Sequence, residues 1–320
     1  MTTQSRREIR KVTVVTNALS GMGKGHDVAA AATARLAECG LEVTEIRAPS
    51  AAESVRLVRA EVTGPQRPDA VVCAGGDGLV SVMLEALAET GTPIGLIPGG
   101  TGNDLAREFG IPNDDPVAAA DVVLGGLART IDLGLIDRTD AAPMWFATIT
   151  GTGFDARVTL RANRLRWPKG PLRYTVAALA ELASRAATPY RIELSDGSAR
   201  PGTVVETDAM LVAVGNTRTY GGGMLVCPDA VVDDGLLDVT VVRAVSRLNM
   251  LRLLPALASG KRIDHPAVSH YRAQRITLTA PGAPATADGE PVGTLPITLR
   301  AVPAALSILV PEENGLRPRS

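Results

Sequence analysis

The residues best suited to chemistry lie in short glycine-bearing stretches. AGGDG (74–78) and IPGGTGNDLAREFG (97–110) each follow a short apolar run and set glycines, then an acid, ahead of a segment with helical character. NALSGMG (17–23) holds the same place after VTVVT (12–16). Glycine lets a backbone come close to an anion and take up positive φ. Successive free N–H groups then form a nest, and the N-terminus of the next helix adds partial positive charge. Three such loops at the carboxyl edge of a parallel sheet suit a polyphosphate. The plainer alternative is a set of tight turns whose glycines serve packing alone.

Familiar nucleotide motifs are missing. SGMGKG is not GxxxxGK[ST], and neither glycine loop supplies GxGxxG. The acids Asp77 and Asp104 are therefore informative. A carboxylate inside a phosphate nest is unfavourable unless a cation such as Mg²⁺ offsets it, directly or through water. The competing reading makes Asp77 the N-cap of a helix over 79–90. Two further acidic turns, DDGLLD (233–238) and ADGEP (287–291), read equally as plain solvated turns or as carboxylates held for use.

The elements that must hold these loops follow from the pattern. At 320 residues the chain is expected to form two domains. Residues 1–135 alternate strand and helix: strands at 12–16, 41–47, 69–74 and 93–97, and helices near 27–39, 50–61 and 79–90. That order predicts an α/β fold with a parallel sheet covered on both faces. Residues 136–320 carry strand signals at 144–150, 189–195, 204–214, 236–243, 274–280, 297–300 and 305–310. Helical interruptions are read at 171–186 and 247–258, the latter suited to core packing. A mainly antiparallel, β-sandwich-like second domain is expected, with its last strands returning to the first.

Composition bounds the function. A net charge of -1 gives no global pull toward nucleic acid. Cys39, Cys73 and Cys227 form no CxxC pair, which suits a reduced, cytoplasmic protein. No signal-peptide pattern opens the chain, and no apolar run is long enough to span a membrane. His26, His265 and His270 lack metal-ligand spacing.

Taken in order, GGDG, IPGGTGNDLAR, YGGGMLVCPDAVVDDGLLDV (220–239) and ADGEP resemble the diacylglycerol kinase catalytic family, which includes sphingosine and ceramide kinases. The resemblance spans about 11 to 310. VGNTRTYGGGM and RANRLRWPKG resemble its actinobacterial branch. It implies an active site in an interdomain cleft, ATP as donor and Mg²⁺ as cofactor. It implies nucleotide contacts at Asn17, Ser20 and Gly21, at Gly75, Gly76, Asp77, Gly78 and Leu79, and at Gly100, Thr101, Asn103 and Asp104. Glu290 of the DGE turn is the implied base for the acceptor hydroxyl. A structural Mg²⁺ is implied on the Asp234 carboxylate and the carbonyls of Val231 and Leu236, with Asp132 joined through water. Asp77 and Asp132 are the implied further metal contacts, and Asp238 is expected to cap or face solvent.

One departure stands out. Many family members carry GGDGTxNE where this chain has GGDGLVSV (75–82), so Leu79 brings no hydroxyl. The run RVTLRANRLRWPKGPLR (157–173) contains no acid and surrounds Trp167 with positive charge. It suits transient contact with an anionic membrane surface, or else a solvated loop and helix start. The expected reaction is phosphorylation of a lipid alcohol, foremost diacylglycerol. Sphingosine- or ceramide-type acceptors, an NAD-kinase-like activity sharing GGDG, and a non-catalytic binding protein are the alternatives. The expected partners are ATP, the lipid and the membrane surface; a homodimer is compatible.

Overall fold

The computed structural model describes residues 4–17, 24–138, 141–165, 176–177, 180–181, 187–197, 202–244, 262 and 264–312. Two compact units result: residues 1–131 with 304–320, and residues 132–303.

In the first unit β1 (Gln4–Arg6) precedes β2 (Lys11–Asn17), α1 (Lys24–Glu38), β3 (Glu42–Ala48), α2 (Ala51–Thr63), β4 (Ala70–Gly75) and α3 (Asp77–Leu87). β5 (Ile94–Pro98), α4 (Asp104–Glu108), α5 (Pro116–Gly125) and β6 (Leu127–Arg138) follow. β3, β2, β4 and β5 pair in parallel in that order. β4 is buried over Ala70–Ala74 and β5 throughout, because helices cover both faces of a parallel sheet. Val14, Val72, Leu84, Ile94 and Leu105 are among the buried side chains of this core.

Helix starts are built locally. Ser50 caps α2 by accepting the Glu53 amide, and Asp115 caps α5 by accepting the amides of Val117 and Ala118. Pro116 occupies the first turn of α5, where no N–H is missed. α5 was not among the helices expected from the sequence, although this cap-and-proline pair announces it. The chain passes to the second unit within β6.

The second unit holds β7 (Ala141–Phe146), β8 (Ile149–Gly153), α6 (Phe154–Arg164), β9 (Thr188–Ser195) and β10 (Thr203–Gly215). Then come β11 (Thr219–Tyr220), β12 (Met224–Leu225), β13 (Leu237–Arg243), β14 (Val268–Ala273) and β15 (Arg275–Thr279). β16 (Pro284–Ala287), β17 (Glu290–Thr294) and β18 (Ile297–Leu309) complete it. Pairing here is antiparallel, in the order β17, β16, β8, β10, β9, β15 and the start of β18. β10 pairs with β9 along its first half and with β8 and β13 after an irregularity at Ala209/Leu211. Such a change of partner turns a sandwich corner. One core cluster includes Phe146, Ile192, Val212, Val239, Ile276 and Leu299.

Three differences from the sequence reading have physical causes. Residues 144–150 form two strands separated by a bend at 147–148. The signals at 297–300 and 305–310 belong to one strand, β18, whose 304–309 part lies in the first unit, with Ile308 parallel to Ile94. Helix α6 was hidden in the basic run, yet Phe154, Val158 and Ala162 recur at helical spacing and are buried. The expected helix over 247–258 and most of 171–186 lie outside the described residues.

Candidate active site

Two of the three glycine loops, AGGDG and PGGTGND, are one structure. Gly99 N donates to Gly75 O at 2.9 Å, joining the ends of β5 and β4. A Cβ on Gly100 would meet Gly76 Cα at 2.7 Å, and one on Gly102 would meet Asp77 Oδ2 at 2.6 Å. These glycines are required by close packing, as the plainer reading supposed. Asn103 sits in the left-handed region at φ 52° and exchanges hydrogen bonds with Gly100, Gly100 N to Oδ1 and Nδ2 to Gly100 O, each 3.0 Å.

Asp77 joins the loops. Its Oδ2 accepts from Asn103 N and its Oδ1 from Asp104 N, both at 2.7 Å. The N-cap of α3 is Gly76, and no side chain caps that helix. Asp77 therefore does not cap the helix that carries it; it serves the start of α4 instead, with two charge-assisted bonds. The amides of the first turn of α3, at Asp77 and Gly78, have no intrahelical acceptors. Gly78, Gly100 and Thr101 are exposed. Leu79 lies over Gly75, whose added Cβ would meet Leu79 Cδ2 at 2.9 Å. Beneath the loops Cys73 is buried, and burial, with the Asp77 charge, raises its thiol above the ordinary range. Asn17 ends β2, while Ser20 and Gly21 lie outside the described residues.

The DGE turn of the second unit is anchored by its aspartate. Asp288 Oδ2 accepts from Ala147 N at 2.8 Å, and Oδ1 from Thr148 N at 2.9 Å and Thr148 Oγ1 at 2.5 Å. Asp288 and Gly289 both take positive φ, 49° and 83°. The Asn163 amide donates to Gly289 O at 3.2 Å. Glu290 follows, exposed, at the first position of β17. A rigid turn thus displays a solvent-accessible carboxylate.

Around DDGLLD, the Asp132 link is direct: its Oδ2 accepts from Gly235 N at 2.7 Å. Asp234 Oδ1 accepts from Leu236 N at 3.0 Å, and Arg272 donates to its other oxygen. Asp238 is buried and paired with Arg272, not solvent-facing. Val231 is exposed. Among the described residues no three His, Cys, Asp or Glu side chains gather where a metal could sit. A divalent ion near Asp77 would then take most of its ligands from phosphate oxygens and water, a habit of Mg²⁺. The loops around Asp77 fit that use, since among the described residues its carboxylate is met by backbone amides and by no cationic side chain.

Two charges of the basic run are spent internally. Arg157 and Arg161 pair with buried Glu181 at 3.5 and 2.6 Å. Arg164 lies in the last turn of α6, and Arg166, Trp167, Lys169 and Arg173 lie outside the described residues. His270 Nδ1 contacts Thr240 Oγ1, and His265 Nδ1 accepts Ala267 N. Sequence reasoning also missed Asp155, buried on α6 with its Oδ1 accepting from the Tyr220 hydroxyl and its Oδ2 without a hydrogen-bond partner among the described residues. Burial raises its carboxyl to about 6.

Residues 11–136 match the family described as diacylglycerol kinase catalytic domain, and residues 148–310 the YegS C-terminal NAD kinase beta sandwich-like domain. A diacylglycerol kinase of Mycobacterium tuberculosis is 46% identical over 309 residues, 97% of this chain and 98% of that one. The chain belongs to the diacylglycerol kinase family. Membership makes it an enzyme, a lipid kinase, and the Mycobacterium likeness supports the actinobacterial branch. A diacylglycerol kinase of Bacillus subtilis is 28% identical over 251 residues, 77% of this chain and 79% of that one. In fold, the family member resembles a solved diacylglycerol kinase of Bacillus anthracis strain Sterne, with a TM-score of 0.71 at 19% identity over 96% of this chain and 99% of that one. A yeast NADH kinase shares the fold at a TM-score of 0.51 and 12% identity, over 96% and 85% of the two chains. No helix among the described residues of the family member is long and apolar enough to cross a membrane.

Proposed function

We propose that this lipid kinase transfers the γ-phosphoryl group of ATP to the free hydroxyl of diacylglycerol, giving phosphatidic acid and ADP. The observation that carries the reading is the joined pair of glycine loops, closed by Asp77 and opening onto an uncapped helix start. Phosphoryl transfer asks chiefly for alignment and charge neutralisation, which backbone donors on a rigid frame supply. In this reading half-buried Gly76 and exposed Gly78, Gly100 and Thr101 hold the phosphates, with Asn17, Ser20 and Gly21 as the first loop. Asp77 keeps that cradle in shape, and Asp77 and Asp104 are the carboxylates that would hold a nucleotide-bound Mg²⁺, directly or through water. When bound, Mg²⁺ supplies charge neutralisation on the phosphate oxygens.

Glu290 is the proposed base. As the acceptor oxygen forms its bond to the γ-phosphorus, the bond from that phosphorus to the bridging oxygen breaks, and ADP leaves with the electron pair. The hydroxyl proton passes to the Glu290 carboxylate. Asp288 holds the turn that carries this base. The lipid is met at a membrane surface by a cytoplasmic, peripheral protein, a reading supported by the positive charge of 164–173.

Glu290→Gln tests the assignment. Turnover with diacylglycerol and Mg-ATP is expected to fall by roughly 10²–10⁴-fold, with nucleotide affinity unchanged. Near-normal turnover in that variant removes Glu290 from its role. Product analysis by mass spectrometry, after offering mixed lipids and NAD side by side, reads the acceptor; phosphorylated NAD or sphingoid base in place of phosphatidic acid refutes the substrate.

A further inference from the structure

The family resemblance implies a structural Mg²⁺ on Asp234 and the carbonyls of Val231 and Leu236. In this chain the one carboxylate of that set already has partners on both oxygens. Asp234 Oδ1 is held by Leu236 N at 3.0 Å, and its Oδ2 takes the Arg272 guanidinium. The same guanidinium reaches Asp238 Oδ2 through Nε at 3.3 Å. Asp238 is only 5% exposed, and a buried carboxylate requires a counter-charge. Asp132 closes the other side by accepting Gly235 N, which needs no bridging ion.

The position of Arg272 is fixed by the sheet. On β14 it stands directly opposite Asp238 on β13, within a register that runs from Leu237↔Ala273 to Val242↔Val268. A planar guanidinium with five donors spans two carboxylates as one point charge does not. It also stays charged at every working pH. A divalent ion on Asp234 would compete with this donor for Oδ2 and would sit beside its positive charge.

We infer that Arg272 takes the place of a structural cation at the DDG turn, so that the β-rich unit holds its shape there without Mg²⁺. The Mg²⁺ requirement of the enzyme then arises with the nucleotide alone. Thermal unfolding of the full chain without nucleotide tests this, in EDTA and in excess Mg²⁺, for wild type, Asp234→Asn and Arg272→Gln. The wild-type Tm is expected to match in the two conditions to within about 1 °C. Arg272→Gln is expected to melt several degrees lower in EDTA and to recover part of that loss with Mg²⁺. A resident ion at 100 times its Kd gives a rise of roughly 5–10 °C. Such a rise in wild type, absent from Asp234→Asn, overturns the inference. So does an Arg272→Gln protein that melts with wild type in EDTA, because the guanidinium then holds nothing.

Discussion

Removing the Asp77 carboxylate separates two roles that a metal-centred reading would merge. Both of its oxygens accept backbone amides at 2.7 Å, and these bonds join the turn after β4 to the start of α4. Bonds of this charge-assisted class contribute about 1.5–3 kcal/mol each when well shielded. Asp77 is half-buried, so water recovers part of the loss. Truncating an ordinary N-cap costs about 0.5–2 kcal/mol. Asp77→Ala is therefore expected to loosen the loop by about 2 kcal/mol, and Asp77→Asn, which keeps one acceptor, by about 1 kcal/mol. At about 1.4 kcal/mol per decade these are roughly 30-fold and 5-fold. Hydrogen exchange reads them directly: the amides of Asn103 and Asp104 should lose protection by those factors. Nucleotide affinity should fall by similar factors, for ATP with and without Mg²⁺, because the cradle itself is loosened. If Asp77→Asn weakened only Mg-ATP and left both amides protected, the clamp would be refuted and a ligand role restored.

Four further outcomes follow from the same contacts. Asp288→Ala frees the amides of Ala147 and Thr148 and should lower turnover by at least about tenfold with Glu290 intact, read in steady-state kinetics at unchanged ATP KM. Gly100→Ala drives a methyl against Gly76 Cα and Asn103 Oδ1, at 2.7 and 2.9 Å, and should cost about 1–3 kcal/mol in urea unfolding. Gly222→Ala, at φ 87° where an added Cβ meets nothing within 4 Å among the described residues, should cost about 1–2 kcal/mol of backbone strain and leave nucleotide affinity alone. Asp155 binds its proton more tightly folded than unfolded, since burial lifts it from 3.8 to about 6. Its contribution is full below about pH 4 and lost as pH rises through about 6, at most about 3 kcal/mol; Asp155→Asn should gain on wild type over that window, and a difference flat with pH would count against the burial.

Much of the fold was legible because local rules and tertiary packing agree. VTVVT and AVVCA are rich in β-branched and small residues without apolar–polar alternation of the half-exposed kind, as strands covered on both faces must be, and they lie in β2 and β4. α5 and α6 were overlooked although their signals are local: Asp115-Pro116 for one, Phe154, Val158 and Ala162 for the other. In α6 the arginines mask the apolar spacing of the face beneath them. β18 was read as two strands because Val302-Pro303-Ala304 looks like a break. Ala304 does take φ 52°, but pairing resumes beyond it.

The site was legible in composition and illegible in wiring. Asp77 was read as a metal contact or as the cap of its own helix, and its partners lie 26 and 27 residues away on the next loop. The ADGEP turn gives Asp288 no role of its own, and its partners lie 140 and 141 residues away. Asp132 was expected to act through water and instead holds Gly235 N across 103 residues. Asp69 repeats the device, accepting the amides of Arg10 and Lys11. No local pattern distinguishes a carboxylate that will meet a cation from one that will meet a backbone amide, since both sit beside glycine in a turn. The distinction is made by what the fold brings opposite. This also removes the opposition between packing glycines and phosphate-binding glycines. Gly76 and Gly100 must lack side chains for the loops to touch, and that contact is what Asp77 locks. The first-turn amides of α3 are left without a cap by the same arrangement, because the acid that could have served them is turned to its neighbour.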